Sequence, residues 1–260
     1  MTQTTDSDFL PSYLDFQAQV GITKHNGGVE ATTTLLARCH IDQAREVLYV
    51  GSGIGAGPAM IARHYGKRVT GVDISPKMID WSWRRAREEG VLDRVDFQVA
   101  DILDLPFDDG RFDLVICESV VAFVEDKSRA VGECVRAAKK GGWVGLNETI
   151  WLDRSPPPNL IEKSKALGTK ILTAREWAEV WGRSGLTERS FEAYPIDSRK
   201  EIRGRLRWVG WRWALRGFGR LVVLALTNPA MRKSIKESFD APLEVLQLMG
   251  YALMAGRKKT

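Results

Sequence analysis

The stretch from Glu46 to Gly57 constrains this chain more than any other. Glu46-Val-Leu-Tyr-Val50 reads as a buried strand, and Gly51 ends it abruptly. Glycines then occupy positions 51, 53, 55 and 57, before Pro58 opens a helix that runs to Tyr65. Glycines in such a turn let the backbone take positive φ and let a ligand come close to it. The helix behind the turn offers N–H groups that lack an intrahelical partner.

The same alternation continues downstream. Strands are expected over 68–72, 94–99, 112–117 and 142–150, and helices over 75–89 and 126–139. Ser75 is placed as an N-cap, Pro76 in the first turn and Gly90 as the stop. Strands separated by helices of this length imply right-handed βαβ units and a parallel sheet covered on both faces. Ser155-Pro-Pro-Pro158 interrupts the pattern. Beyond it come a helix over 173–184, a strand over 186–194, a short helix near 243–247 and a last strand over 250–255. At 260 residues the chain suits one domain with an appended cap.

Composition narrows the classes. Cys39, Cys117 and Cys134 are odd in number and widely spaced, which argues against a disulfide scaffold or a structural zinc site. The polar start, Met1 to Asp8, has no apolar leader pattern, and the longest apolar run is Leu221 to Leu226. A cytoplasmic protein is expected, with no metal.

Two cofactor classes fit the glycine turn taken by itself. Gly51-x-Gly53-x-x-Ala56, with Asp73 22 residues beyond Gly51, suits a dinucleotide and hence a nicotinamide oxidoreductase. The other class is indicated by motifs at matching strand ends. They are Val47-Leu-Tyr-Val-Gly-Ser-Gly-Ile-Gly55, Val72-Asp-Ile-Ser-Pro-Lys-Met78, Ala100-Asp-Ile-Leu-Asp-Leu-Pro-Phe107 and Phe112-Asp-Leu-Val-Ile-Cys117. In order and spacing, over about residues 45 to 150, the chain resembles the class I S-adenosylmethionine-dependent methyltransferases. The resemblance is strongest to the branch that contains the ubiquinone and menaquinone C-methyltransferases.

The resemblance implies a Rossmann-like, doubly wound α/β fold. Its seven-stranded sheet is mostly parallel with an antiparallel last strand, under an N-terminal helical lid (1–41) and a helical cap (about 195–248). The cofactor core would span 42–155, with the remaining strands and the cap in 156–260. S-adenosylmethionine is the implied cofactor. Gly51, Ser52, Gly53 and Gly55 would pass under its methionine and ribose, and Asp73 would accept from both ribose hydroxyls. Ile74 and Met78 would flank the adenine, Asp101 and Ile102 would meet its edge, and Glu118 and Ser119 would lie near the methionine end. One departure stands out. Related enzymes carry an acid two positions before the first glycine, where this chain has Tyr49. Glu118 or Glu30 would take over its hold on the ammonium group, or water would bridge to it.

Methyl transfer is an in-line displacement that depends mainly on alignment and exclusion of water. An acceptor that must lose a proton would still need a base. His25 and Glu148 are the candidates, Glu148 because it lies at the carboxyl end of the fifth strand. The expected acceptor is small, organic and apolar, in the manner of a lipid or quinone.

Charge bears on the cap. Residues 198–220 hold eight basic side chains against one acid, or +7, which exceeds the +5 of the whole chain and leaves −2 for the rest. If this segment is helical, Arg205, Arg212, Arg216 and Arg220 form one stripe. Trp208, Trp211, Leu215, Phe218 and Val222 form another opposite it. Such a helix either lies on an anionic membrane surface, with or without catalysis by the attached pocket, or packs its aromatic side on the core. A nucleic-acid partner is not expected. The exit Cys117-Glu118-Ser119-Val120 lacks the Asn/Asp-Pro-Pro-aromatic loop that base-methylating relatives use.

Overall fold

Side-chain alternation along two central strands dictates the layering. In β1 (Glu46–Val50), Leu48 and Val50 enter one apolar cluster while Val47 and Tyr49 enter another. In β4 (Phe112–Glu118), Val115 and Cys117 join the first cluster, Leu114 and Ile116 the second. Strands buried on both faces need helices on both sides. The second cluster is completed by α2 (Gly28–Arg38), α3 (Ala56–Tyr65) and α4 (Pro76–Glu89). The first is completed by α5 (Lys127–Ala137) and α7 (Ala174–Gly182), whose Trp177 and Trp181 are buried.

The computed structural model describes residues 13–23, 26–153, 155–197, 204, 208–229, 232 and 248–260. Within them the main path of the sheet runs β3-β2-β1-β4-β5-β8-β7. The further strands are β2 (Arg68–Asp73), β3 (Val95–Val99), β5 (Ala138–Trp151), β7 (Thr187–Pro195) and β8 (Met249–Arg257). β1 to β5 pair in parallel, and β8 lies antiparallel to both β5 and β7. All seven expected strands are present. An eighth, β6 (Leu172–Thr173), pairs with β5 off this path.

Local signals work as the residues suggest. Ser75 caps α4 through the Met78 amide, Pro76 sits in the first turn, and Gly90 ends the helix at φ +69°. Asp126 caps α5 through the Arg129 amide. Pro158, part of the run that interrupts the pattern, is itself the first residue of α6 (Pro158–Ala166). The N-terminal part adds α1 (Tyr13–Val20), and the cap contributes α8 (Trp211–Thr227). His25, the five basic residues between Ser198 and Trp208, and the expected helix near 243–247 lie outside the described residues.

Register positions the site. Val50 pairs with Val72 on one side and with Cys117 on the other. The next residues of those three strands, Gly51, Asp73 and Glu118, therefore leave the sheet together. This is where the chain, having built β2 and β3 outward from β1, returns to place β4 on its other side. Ligands of open α/β sheets bind at that reversal.

Candidate active site

A cavity of about 370 Å³ opens at these strand ends, a size typical of small-molecule sites. Gly51, Gly53, Asp73, Ile74, Met78, Asp101, Ile102, Glu118 and Ser119 all line it. Ser52 and Gly55, expected among them, do not. Ser52 is buried beneath the turn beside the Ser82 hydroxyl, and Gly55 lets the turn press against α4. A Cβ on Gly55 would come 2.8 Å from the Ser82 Cα.

Asp73 ties the turn together. Its carboxylate accepts from the Gly53 amide at 2.9 Å and from the Ser75 amide at 3.0 Å. Burial raises its pKa, and the two amides oppose that rise. Each oxygen keeps a further lone pair for a hydroxyl. Asp101 accepts from the Leu103 amide at 2.9 Å, which fixes the loop after β3. Ile74 is 61% exposed although it borders the cavity, and Met78 is buried.

The residue in place of the usual acid has a defined partner. Tyr49 is buried, and its hydroxyl donates to Glu118 Oε2 at 2.6 Å. Thr32 donates to both oxygens of the same carboxylate at 2.9 and 3.0 Å, and Asn147 Nδ2 donates to Oε1 at 3.2 Å. Burial and the neighbouring Glu118 keep the Tyr49 phenol protonated, its pKa well above the ordinary value. A Cβ on Gly57 would run into the Tyr49 ring, so the fourth glycine makes room for the tyrosine. Glu30, the other suggested replacement, lies exposed on α2 and borders a different depression.

Ser119 supplies a second polar feature. It adopts φ +58°, uncommon for a residue with a side chain. Its Oγ is buried and has no hydrogen-bond partner. A buried, unpartnered hydroxyl on the wall of a cavity is set up to meet a polar group of a ligand. Together with Glu118 and Asp73 it gives the cavity one acidic and hydroxylic end. That end fits a cofactor with an ammonium group and a ribose diol.

Glu148, the candidate base, does not reach the cavity. It is fully buried and absent from the cavity wall. Its Oε1 accepts from the amides of Val120 and Val121 at 3.0 and 2.9 Å, and Oε2 accepts from Ala122 at 3.2 Å. Burial pushes its pKa up to about 7. From the other side, Lys127 Nζ donates to the carbonyls of Val121 and Val124 at 2.9 and 2.7 Å. The two side chains clamp the short 3₁₀ turn Val121–Phe123 that walls the cavity.

The other half of the cavity is mainly apolar. Phe123, Trp151, Leu160, Leu167, Ile171 and Met249 line it, with Thr149, Ser164 and Lys163 among its polar groups. Most of these come from the end of β5, from α6 and from the segment after it, which the sequence reading passed over as an interruption. Pro158 followed by Leu160, Ser164 and Leu167 at helical spacing was the available signal. Leu14 and Gln17 of α1 complete the wall. A more open depression of about 900 Å³, bordered by Arg85, Trp208 and Trp213, contains none of the expected cofactor residues.

A family model described as "Methyltransferase domain" matches residues 48–146, the span that holds the glycine turn, Asp73, Asp101 and Glu118. Residues 48–146 thus carry a methyltransferase domain, similar to that of the class I S-adenosylmethionine-dependent methyltransferases. Ajmaline N-methyltransferase of Rauvolfia serpentina is 34% identical over 112 residues, covering 43% of this chain and 38% of that protein. The chain spans less than half the length of the named curated relatives it matches. Among solved structures, phosphoethanolamine N-methyltransferase 2 of Haemonchus contortus in complex with S-adenosyl-L-methionine has a TM-score of 0.75 at 17% identity, covering 99% of this chain and 61% of the other. The [4+2]-cyclase SpnF has a TM-score of 0.72 at 22% identity over 94% and 92% of the two chains. At these identities the likeness concerns the fold, and a cyclase shares it. Activity is therefore decided by the site and not by the fold.

Proposed function

We propose that this chain transfers the methyl group of S-adenosylmethionine to a small, largely apolar acceptor of lipid or quinone type. The observation that carries the reading is the two-ended cavity. One end gathers Asp73, Glu118 and the unpartnered Ser119 hydroxyl around the glycine turn, and the other is walled by Phe123, Trp151, Leu160 and Ile171. S-adenosylmethionine supplies an electrophilic methyl group on a positively charged sulfur. Asp73 receives the ribose hydroxyls, and Glu118, held by Tyr49, Thr32 and Asn147, receives the ammonium group. Ile74, Met78 and Ile102 enclose the base.

The apolar half orients the acceptor toward the methyl group and excludes water. Both effects lower the barrier of an in-line displacement without a dedicated catalytic side chain. The apolar lining also favours acceptors that bury hydrocarbon, at about 25 cal/mol per Å² of apolar surface.

Calorimetry with S-adenosylhomocysteine and with NADH tests the cofactor. Binding of the first and not the second is expected, and Asp73→Ala should weaken it at least about tenfold, the loss of two hydrogen bonds to a charged group. Preference for NADH would overturn the reading. Incubation with the methyl-labelled cofactor and lipid or aqueous extracts then identifies the acceptor class. Label confined to the aqueous fraction would exclude a lipid or quinone acceptor.

A further inference from the structure

Helix α8 is apolar on two opposite sides. Its inner side packs on the body: Trp213 joins Ala18 and Met78, and Leu221 and Leu224 rest on Val20 and Ile22. Gly217 permits the close approach of Ile22. Two arginines of the basic stripe also turn toward the body. Arg216 pairs with Glu88 at 2.8 Å, and Arg220 donates to the Val20 carbonyl while covering the Trp81 ring at 4.4 Å. Of the aromatic stripe, Trp208 is buried against the body, while Trp211, Leu215, Phe218 and Val222 face outward. Trp211, Leu215, Phe218, Val222 and Leu226 follow one another at spacings of three or four, and are 68, 64, 64, 41 and 74% exposed. A row of this size is seldom left on a surface without a use.

We propose that α8 docks on an anionic lipid bilayer, lying in the plane of the interface with this row immersed. Among the described residues no helix is long and apolar enough to cross a membrane. The row from Trp211 to Leu226 runs about 22 Å along the helix, and an interfacial helix buries its apolar side about 5–10 Å deep. Charge selects the occupant. Residues 198–220 carry +7 and the rest of the chain −2. Helix α8 itself carries Arg212, Arg216 and Arg220 and no acid, so a second copy docked through the same face would bring like charges together, whereas anionic headgroups neutralise them. Arg212, beside Trp211 at 5.4 Å, is exposed next to the row and positioned for those headgroups. Docking would also bear on the cavity. The inner side of α8 grips the end of α1, the helix whose Leu14 and Gln17 wall the cavity.

The test is co-sedimentation of the full chain with vesicles of phosphatidylglycerol and phosphatidylcholine, and with phosphatidylcholine alone. Binding to the anionic vesicles is expected, reduced severalfold by raising salt from about 0.05 to 0.5 M. The double variant Trp211→Ser/Phe218→Ser should bind at least about tenfold less, with an unchanged far-ultraviolet spectrum because both side chains are exposed. Leu215→Gln/Leu226→Gln provides an independent second variant. Quenching of fluorescence by brominated lipid should be stronger in the wild type than in Trp211→Phe. No vesicle binding, equal binding to neutral vesicles, or unchanged binding by both double variants would overturn the proposal. A concentration-dependent dimer that these variants abolish would overturn it in favour of a second copy.

Discussion

Removing one oxygen atom tests how the missing acid is replaced. Tyr49→Phe keeps the ring that fills the space beside Gly57 and deletes only the hydroxyl donating to Glu118 at 2.6 Å. A hydrogen bond to a charged group contributes about 1.5–3 kcal/mol. Glu118 retains Thr32 and Asn147, so the carboxylate is not stranded and the loss falls toward the lower part of that range, about 2 kcal/mol. For a chain of this size that is a fall in Tm of about 4–8 °C. Calorimetry should also show weaker binding of S-adenosylhomocysteine, because the proposed ammonium anchor loses its shortest tether. The decisive measurement is a double-mutant cycle with Glu118→Gln. Residues in contact couple by about 0.5–3 kcal/mol, whereas independent ones add. A Tm change under about 1 °C with additive effects on ligand binding would refute the tether.

Other outcomes follow from single sites. Ser119→Gly relieves the left-handed backbone and should stabilise the fold by about 1 kcal/mol, while deleting the unpartnered hydroxyl should weaken S-adenosylhomocysteine severalfold; thermal unfolding and calorimetry check the opposed signs. Glu148 has its pKa raised from 4.5 to about 7, so its protonated form favours the fold. That contribution is complete below about pH 4.5 and is lost as pH rises through 7, a change of about 3 kcal/mol. Urea titrations between pH 5 and 8 should show this slope, and Glu148→Gln should flatten it. Arg220→Met removes the bond to Val20 and the contact with Trp81. Hydrogen exchange over 13–20 should then speed up by more than about tenfold while the β1–β4 amides stay protected.

The parallel core was legible because it rests on local signals. Each βα unit carries its own apolar run, cap and glycine stop, as Ser75, Pro76 and Gly90 do for α4. Nine of the eleven expected cofactor residues reach the cavity because strand register carries neighbouring strand ends to one place. What stayed hidden depends on contacts far apart in sequence. That Tyr49 holds Glu118, 69 positions away, cannot be read from either residue's neighbours. Glu148 lies near the carboxyl end of β5, where a catalytic base would be expected. Whether it faces a substrate or three amides is decided by how the turn after β4 folds over it. The orientation of α8 stayed open for a related reason. Both of its sides are apolar, so periodicity locates the stripes without telling which one meets the body. Trp213, Leu221 and Leu224 won that position through their fit to Met78, Val20 and Ile22.

The buried pair Glu148 and Lys127 fixes the loop after β4 that packs on the glycine turn. Desolvating a carboxylate and an ammonium costs more than an ordinary loop repays, unless each group is saturated with partners. Here the carboxylate takes three amides and the ammonium two carbonyls of the same short segment. All five bonds fall between Val120 and Val124, which leaves that segment little freedom to shift. Its first residue then matters most. Any Cβ on Gly51 would collide with the Cγ2 of Val120, so position 51 is closed to side chains by a neighbour as well as by its φ of +76°. The clamp holds Val120 against the glycine, and the glycine in turn leaves its backbone open to the cavity. Polar groups hidden behind the wall thus set the shape of the surface that a cofactor meets, without touching it.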